Sequence, residues 1–203
     1  MDYNLKKFEN YYWSGNMDRF NITETEFEGV YIIEPTVHSD HRGYFVKTYD
    51  EEEFKAKGLD LTFVQDDQSC SSKGVLRGLH FQKEHPQGKL VRVVRGKVFD
   101  VGVDLRKNSK TYGKWIGVVL SAENKKQFFL PKGFAHGLLS LEDHSIFVYK
   151  VDEFYYPGDE EGLAFDDEEI GIEWPLDQVD ELIMTDKDKS WKSFKELDFA
   201  FDL

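Results

Sequence analysis

The sequence contains a single cysteine, Cys70, among its 203 residues. One cysteine excludes an intramolecular disulfide and is typical of proteins that stay in a reducing compartment. Long apolar runs are also missing near the start. Residues 1–20 mix charged with aromatic side chains, which is typical of neither a signal peptide nor a membrane-spanning helix. We therefore expect a cytoplasmic protein that does not contact a membrane.

Positively charged residues are scarce. Lysine and arginine number 26 against 39 aspartates and glutamates, so the net charge is −13. This balance disfavours nucleic acid and anionic membranes as partners. A small anionic ligand is compatible with it, provided that basic side chains cluster locally in a cleft.

The motifs of several enzyme classes are absent. No glycine-rich dinucleotide loop and no Gly-Lys-Ser/Thr phosphate loop is present, which disfavours dinucleotide-binding enzymes and nucleoside triphosphatases. There is no His-x-His pair, and His80 and His85 have a spacing that suits metal ligands on neither a strand nor a helix. We therefore predict no metal site, and a metal-dependent oxygenase is disfavoured.

The pattern that is present predicts an all-β domain with a few short helices. Short apolar runs recur from residue 30 to residue 151 and are separated by turn signals such as residues 40–43 and 131–133, which is typical of a β-sandwich or barrel. The predicted strands are residues 30–33, 44–48, 62–65, 75–81, 89–94, 98–105, 115–120, 127–130, 137–141 and 145–151. Helices are expected at residues 50–57 and 191–197. Residues 20–203 form the predicted domain, and residues 1–19 are an N-terminal appendage of unknown role.

One segment carries unusual chemistry for a strand. Residues 74–82 read Gly-Val-Leu-Arg-Gly-Leu-His-Phe-Gln, and Lys89 opens the next strand. A histidine near neutral pKa and an ammonium group suit proton abstraction beside a carbonyl, because the base takes the proton and the cation stabilises the enolate. The alternatives are a structural histidine and a solvated lysine.

Arg77 and His80 have opposite parity in a regular strand, so they would point to opposite faces. Both reach one pocket only if Gly78 kinks or bulges the strand. In the strand at residues 98–105, Asp100 and Asp104 share a polar face that meets water or lines a cavity.

Three further residues have two interpretations each. Tyr149 is a core tyrosine or a proton donor opposite His80. Asp188 is a surface carboxylate or the group that orients an imidazole ring. His136 is structural or lines the pocket.

Ten motifs together resemble the dTDP-4-dehydrorhamnose 3,5-epimerase family, which has a cupin-like jelly-roll fold. The resemblance runs from about residue 20 to residue 191 and rests on residues 40–43, 63–67, 74–80, 87–91, 99–101, 104–106, 131–137, 149–150, 171–175 and 187–188. It implies a homodimer that needs neither metal nor cofactor. The implied reaction is epimerisation of dTDP-4-keto-6-deoxy-D-glucose at C-3 and C-5 to dTDP-4-keto-L-rhamnose, in dTDP-L-rhamnose biosynthesis.

The resemblance also implies roles for individual residues. His80 is the implied general base with Asp188 as its orienting partner, Tyr149 is the proton donor, and Lys89 stabilises the enolate oxygen. Arg77 and Arg42 hold the diphosphate, with Arg42 reaching across from a second subunit. The remaining positions implied to line the ligand site are Lys47, Gln65, Asp67, His136, Glu160 and Lys187.

Two positions depart from the family pattern. Asp67 stands where the family usually has asparagine, and Lys47 stands where it usually has glutamate. They leave open a 3-epimerase, or an epimerase of another nucleotide 4-keto sugar. A non-catalytic jelly roll that binds nucleotide sugars is the alternative of a different class, although pure binding needs no acid–base pair.

Overall fold

The computed structural model describes residues 19–203. Residues 1–18 of the predicted appendage lie outside the described residues. Arg19 already belongs to the folded body, because its carbonyl accepts a hydrogen bond from the Thr36 amide at 2.7 Å and its amide donates to Glu53 Oε1 at 2.6 Å. Within residues 19–203, no helix has the length and apolar character needed to cross a membrane.

Strands dominate the described chain. They are β1 (Phe20–Glu24), β2 (Tyr31–Pro35), β3 (Val37–Asp40), β4 (Gly43–Val46), β5 (Gln65–Ser71), β6 (Leu76–Gln82), β7 (Lys89–Arg95), β8 (Lys97–Asp104), β9 (Trp115–Ser121), β10 (Gln127–Leu130), β11 (Phe134–Ser140), β12 (Ser145–Val151) and β13 (Glu160–Gly162). Two short α-helices accompany them, α1 (Glu51–Ala56) and α2 (Asp186–Lys189), with 3-10 turns at Leu176–Gln178 and Phe194–Glu196.

The strands form two main antiparallel sheets. One has the order β1-β2-β10-β7-β12-β5, the other β13-β6-β11-β8-β9, and β3 and β4 form a separate hairpin. A buried cluster of side chains from both sheets joins them, including Val91, Val98, Phe128, Leu138 and Phe147. This is the predicted all-β class, a cupin-like jelly roll.

Each sheet is also covered on its outer face. The five-stranded sheet packs Leu79 and Val101 against the C-terminal segment, which contributes Leu163, Trp174 and Phe201. On the six-stranded sheet, Ile33 and Leu90 pack against Phe54 of α1 and against Leu59. Both sheets are therefore held rigidly, which fixes the side chains that point between them.

The predicted helix at residues 50–57 is confirmed as α1. Asp50 caps it by accepting a hydrogen bond from the Glu53 amide at 3.1 Å, and three glutamates fill the first turn. The predicted helix at residues 191–197 is wrong in extent. Only the 3-10 turn Phe194–Glu196 forms there, closed by a capping box between Ser193 and Glu196.

The predicted strand at residues 62–65 is misplaced. The strand begins at Gln65 and ends at Ser71, and its residues are mostly polar. Every residue of this strand pairs with a residue of β12. Strands β1, β3 and β13 were not predicted at all. Their side chains are polar or the strands are very short, so cross-strand hydrogen bonding rather than an apolar period determines them.

Candidate active site

A bulge in β6 brings Arg77 and His80 to the same face. In the pairing with β11, His80 lies opposite His136, whereas Arg77 lies opposite Leu138. Gly78 and Leu79 of β6 therefore lie opposite a single residue of β11, Gly137. Gly78 has a φ of +92°, a conformation that residues with a Cβ rarely adopt. The predicted bulge at Gly78 is confirmed. Both basic residues interact with the other sheet, because the charge of Arg77 lowers the pKa of Tyr149 and the charge of Lys89 lowers the pKa of His80.

The two sheets contribute opposite walls of one site. The five-stranded sheet supplies His80 from β6, His136 from β11 and Glu160 from β13, while the six-stranded sheet supplies Lys89 from β7, Tyr149 from β12 and Asp67 from β5. These residues are remote from one another in the chain but close in space. Their charges shift the pKa values of His80, Lys89 and Tyr149.

His80 is a neutral imidazole at physiological pH. Burial, the largest cause, and the charge of Lys89 together lower its pKa to about 4, against the opposing carboxylate of Glu160. The ring still exposes 29% of its side-chain surface, because it lines an open site rather than a closed core. A neutral imidazole has a free nitrogen lone pair, which a general base requires.

Glu160 is the carboxylate that faces His80 most directly. Its Oε1 lies 3.7 Å from Nδ1 of His80, and its Oε2 accepts a hydrogen bond from the ammonium group of Lys187. This contact raises the pKa of Lys187. Glu160 and Lys187 therefore form an ion pair at the edge of the site, beside the imidazole.

Asp188 is another carboxylate that acts on the same ring. It is buried in α2, where its Oδ2 accepts a hydrogen bond from the Thr185 hydroxyl at 2.8 Å. Its negative charge raises the pKa of His80, although less than that of Glu160 does. The orienting role implied for Asp188 stays a prediction, and Glu160 is a second carboxylate in position to influence the base.

Lys89 extends from the opposite wall. Burial lowers the pKa of its ammonium group, and the carboxylates of Glu160, Asp100 and Asp67 oppose that shift. Three nearby carboxylates favour the charged form of a lysine that is otherwise poorly solvated. The group can therefore meet a developing oxyanion with a positive charge.

Asp100 is a site residue that the sequence did not single out for function. It is fully buried, and its Oδ1 and Oδ2 lie 2.9 and 3.0 Å from Nε2 of His136. Burial raises its pKa, against the charges of His136 and Lys89. The sequence did indicate that Asp100 lies on the polar face of its strand, whose other face is entirely apolar. Asp104, on that same face, instead binds Arg106 at 2.8 Å and Ser109 at 2.6 Å.

Tyr149 lies across the site from His80. Burial raises the pKa of its phenol, and so do the charges of Asp67 and Glu160, whereas Arg77 lowers it. The phenol is therefore protonated at neutral pH. A base on one wall and an acid on the other can exchange protons with the two faces of a ligand held between them.

Gln65 and Arg77 are held by specific contacts. Gln65 donates a hydrogen bond from Nε2 to Asp67 Oδ2 at 2.6 Å, and its Oε1 accepts one from the Tyr155 amide at 3.3 Å. Arg77 Nε donates to the Ser71 hydroxyl at 3.1 Å. Arg77 is nevertheless exposed.

Arg42 and Lys47 lie apart from these residues. They line a groove of about 870 Å³ beside the β3–β4 hairpin, together with Arg19, Tyr44 and Phe45. Lys47 pairs with the capping residue Asp50, and Arg42 is bound to Asp40. A single copy of the chain does not bring these two predicted ligand-binding residues to His80.

A family model described as dTDP-4-dehydrorhamnose 3,5-epimerase matches residues 24–196. A protein of that name from Methanothermobacter thermautotrophicus is 56% identical over 180 residues, which are 89% of this chain and 97% of that protein.

Solved structures give the same result. The crystal structure of a dTDP-4-dehydrorhamnose 3,5-epimerase from Elizabethkingia anophelis has a TM-score of 0.82 and 46% identity, covering 89% of this chain and all of that one. The dTDP-6-deoxy-D-glucose-3,5-epimerase of Legionella pneumophila, solved with dTDP-4-keto-L-rhamnose, has a TM-score of 0.84 and 43% identity over 88% of this chain and 95% of that one.

Proposed function

The chain belongs to the dTDP-4-dehydrorhamnose 3,5-epimerase family, and from that premise we propose how its residues perform the reaction. The enzyme inverts C-3 and C-5 of dTDP-4-keto-6-deoxy-D-glucose to give dTDP-4-keto-L-rhamnose. The observation that carries the mechanism is the placement of half-buried His80 on one sheet and of half-buried Tyr149 and Lys89 on the other.

The substrate is anchored through its diphosphate. Arg77 presents an exposed guanidinium at the site opening, and planar guanidinium groups bind phosphate oxygens in pairs. The net charge of −13 repels an anion in general, so local basic groups are needed to attract it. Anchoring leaves the keto sugar to extend between the two walls.

His80 begins each inversion. Its free nitrogen takes the proton from the carbon beside the ketone, the C–H electron pair becomes the carbon–carbon double bond of the enolate, and the carbonyl π pair moves to the oxygen. The enolate oxygen then carries the negative charge, and the ammonium group of Lys89 stabilises it. A stabiliser of this kind is typically worth about 10²–10³-fold in rate.

Tyr149 completes the inversion from the other wall. Its O–H bond breaks, a new C–H bond forms on the opposite face of the carbon, and the carbonyl is restored. After the inversion, His80 is an imidazolium and Tyr149 is a phenolate. His80 loses its extra proton to water, and Tyr149 takes up a proton from water, before the second centre reacts.

The working form is a homodimer in which Arg42 of one copy completes the site of the other. The β3–β4 hairpin supports this proposal, because it exposes 59% of Tyr44 and 66% of Phe45, and the Arg42 side chain is 79% exposed. Large apolar side chains at a projecting hairpin are typical of a surface that another protein covers. The cytoplasmic location stays a prediction.

Proton NMR of dTDP-4-keto-6-deoxy-D-glucose in D₂O tests the proposed reaction. We expect purified wild-type protein to place deuterium at both C-3 and C-5, because the phenol of Tyr149 exchanges with solvent. Tyr149→Phe should remove inversion while leaving exchange by His80 measurable.

Two other results would contradict the proposal. Deuterium at C-3 alone would identify a 3-epimerase, an outcome that Asp67 and Lys47 leave open. Folded wild-type protein that binds the nucleotide sugar without any exchange would identify a binding protein.

A further inference from the structure

The ladder between β5 and β12 places two acidic residues on opposite faces of the sheet. Asp67 lies directly opposite Tyr149, and Asp66 lies directly opposite Lys150. Directly opposed residues of an antiparallel pair point to the same face with Cβ atoms about 5 Å apart. Asp67 therefore accompanies the proton donor into the site, whereas Asp66 binds Lys150 at 2.6 Å on the outer face.

The carboxylate of Asp67 is fixed in that position. Its Oδ2 accepts a hydrogen bond from Gln65 Nε2 at 2.6 Å, and Gln65 is itself held by the Tyr155 amide at 3.3 Å. The half-buried carboxylate cannot turn to bulk water without losing this contact. Its negative charge therefore acts on whatever lies beside it in the site.

Charged groups from three strands face Tyr149. They are Asp67 on β5, Glu160 on β13 and Arg77 on β6. Burial is the largest cause of the raised pKa of the phenol, and Asp67 is the next. Asparagine at position 67 would have nearly the same shape as aspartate but would carry no charge.

We propose that Asp67 is a positioning residue for the proton donor, whose carboxylate drives the return of a proton to Tyr149 after each inversion. The inference rests on the proposed function. Each inversion transfers the phenolic proton to carbon and leaves a phenolate next to the carboxylate. Two adjacent anions repel one another, so a proton from water is taken up readily and the donor is ready for the second centre.

The test compares Asp67→Asn with the matched control Asp66→Asn. Each variant loses one negative charge, from adjacent residues of one strand but from opposite faces of the sheet. We expect Asp67→Asn to move the alkaline limb of the kcat profile to lower pH by about one unit, the size expected of a neighbouring charge. We expect Asp66→Asn to leave the profile unchanged. Loss of packing alone would lower kcat at every pH without moving the limb.

Asp67 also favours the charged form of Lys89, so a direct titration is needed to isolate its effect on Tyr149. The ultraviolet absorbance of tyrosinate is measured against pH for wild type and Tyr149→Phe, and their difference reports Tyr149 alone. The same difference between Asp67→Asn and Asp67→Asn/Tyr149→Phe should titrate at lower pH. If Asp67→Asn does not fold, Asp67→Ser removes the same charge and is measured in both experiments.

The outcomes separate this inference from the proposed function. Active wild-type protein with identical profiles and titrations for Asp67→Asn and Asp66→Asn overturns the role of Asp67 alone. A shift to higher pH overturns it as well. Wild-type protein that does not catalyse exchange overturns the proposed function, whereas the tyrosinate titration still tests the effect of Asp67 on Tyr149.

Discussion

At the scale of single residues, burial and charge set the protonation state of each proposed catalytic group. His80 is kept neutral by desolvation and by Lys89, so it is ready to accept a proton at neutral pH. His80 is therefore a weak base, because a pKa of about 4 provides little driving force for proton abstraction. The ammonium group of Lys89 compensates for this weak basicity, because it stabilises the enolate that proton abstraction produces.

The acidic side of the pH–rate profile tests this arrangement. In the free enzyme we expect the acid limb of kcat/KM near pH 4, not near the ordinary histidine value of about 6.5. Lys89→Met should be slower but should move that limb to higher pH, because it removes a positive charge beside the ring. An acid limb that stays in place in Lys89→Met would contradict the coupling.

The same shift affects stability with a definite sign. The folded-state pKa of His80 is below the unfolded value, so the unfolded chain binds more protons at this residue between about pH 6.5 and 4. The contribution of His80 to stability is therefore lost progressively as the pH falls through that window.

At the scale of secondary-structure elements, the bulge in β6 is the feature that assembles the site. A Cβ at Gly78 would lie 2.4 Å from the backbone carbonyl oxygen of His136, so only glycine allows the two strands to approach so closely. The bulge puts Arg77 and His80 on one wall, which a regular strand does not do.

Gly78→Ala should therefore be more harmful than an alanine at another glycine with the same backbone angle. Gly158 also has a φ of +92°, but a Cβ there meets no atom within 4 Å. We expect both variants to lose about 1–3 kcal/mol for the unfavourable φ. Gly78→Ala should lose about another 1–3 kcal/mol for the clash, together with most of its activity. Urea unfolding and turnover measure both effects, and equal stability losses would contradict the role of close packing.

At the scale of the whole molecule, an acidic protein binds a doubly charged anion through a few basic groups. Arg77 is one of them, and Arg42 lies outside the site of its own chain in the hairpin groove. A second copy is the proposed source of the missing arginine. The −13 charge of each chain then makes the contribution of every local cation larger.

Mixed dimers test the exchange of Arg42 between copies. Arg42→Ala and His80→Ala are co-expressed with different affinity tags, and the doubly tagged species is purified. One of its two sites then combines an intact His80 with Arg42 from the other copy, so we expect about half of wild-type turnover although each parent is nearly inactive. A mixed dimer as inactive as its parents would place Arg42 in its own subunit, and failure to isolate any mixed species would contradict the dimer.

Strands with an apolar period were predictable from the sequence, and polar strands were not. The limits of β10 and β12 agree with the prediction because burial requires apolar residues at those positions. Strand β5 has few such residues, and its pairing with β12 alone determines its position. The amino-acid composition of β5 does not indicate which strand it pairs with.

The sequence by itself determined the fold class, the family and the identity of His80, Lys89 and Tyr149 as chemically competent groups, because residue type and order carry that information. The tertiary structure alone decided which charges surround them. Glu160 faces the imidazole at 3.7 Å, buried Asp100 binds His136, and Asp67 stands beside the phenol. These relations depend on distances between strands that are remote in the chain, and electrostatic effects follow distance and burial and not position along the sequence.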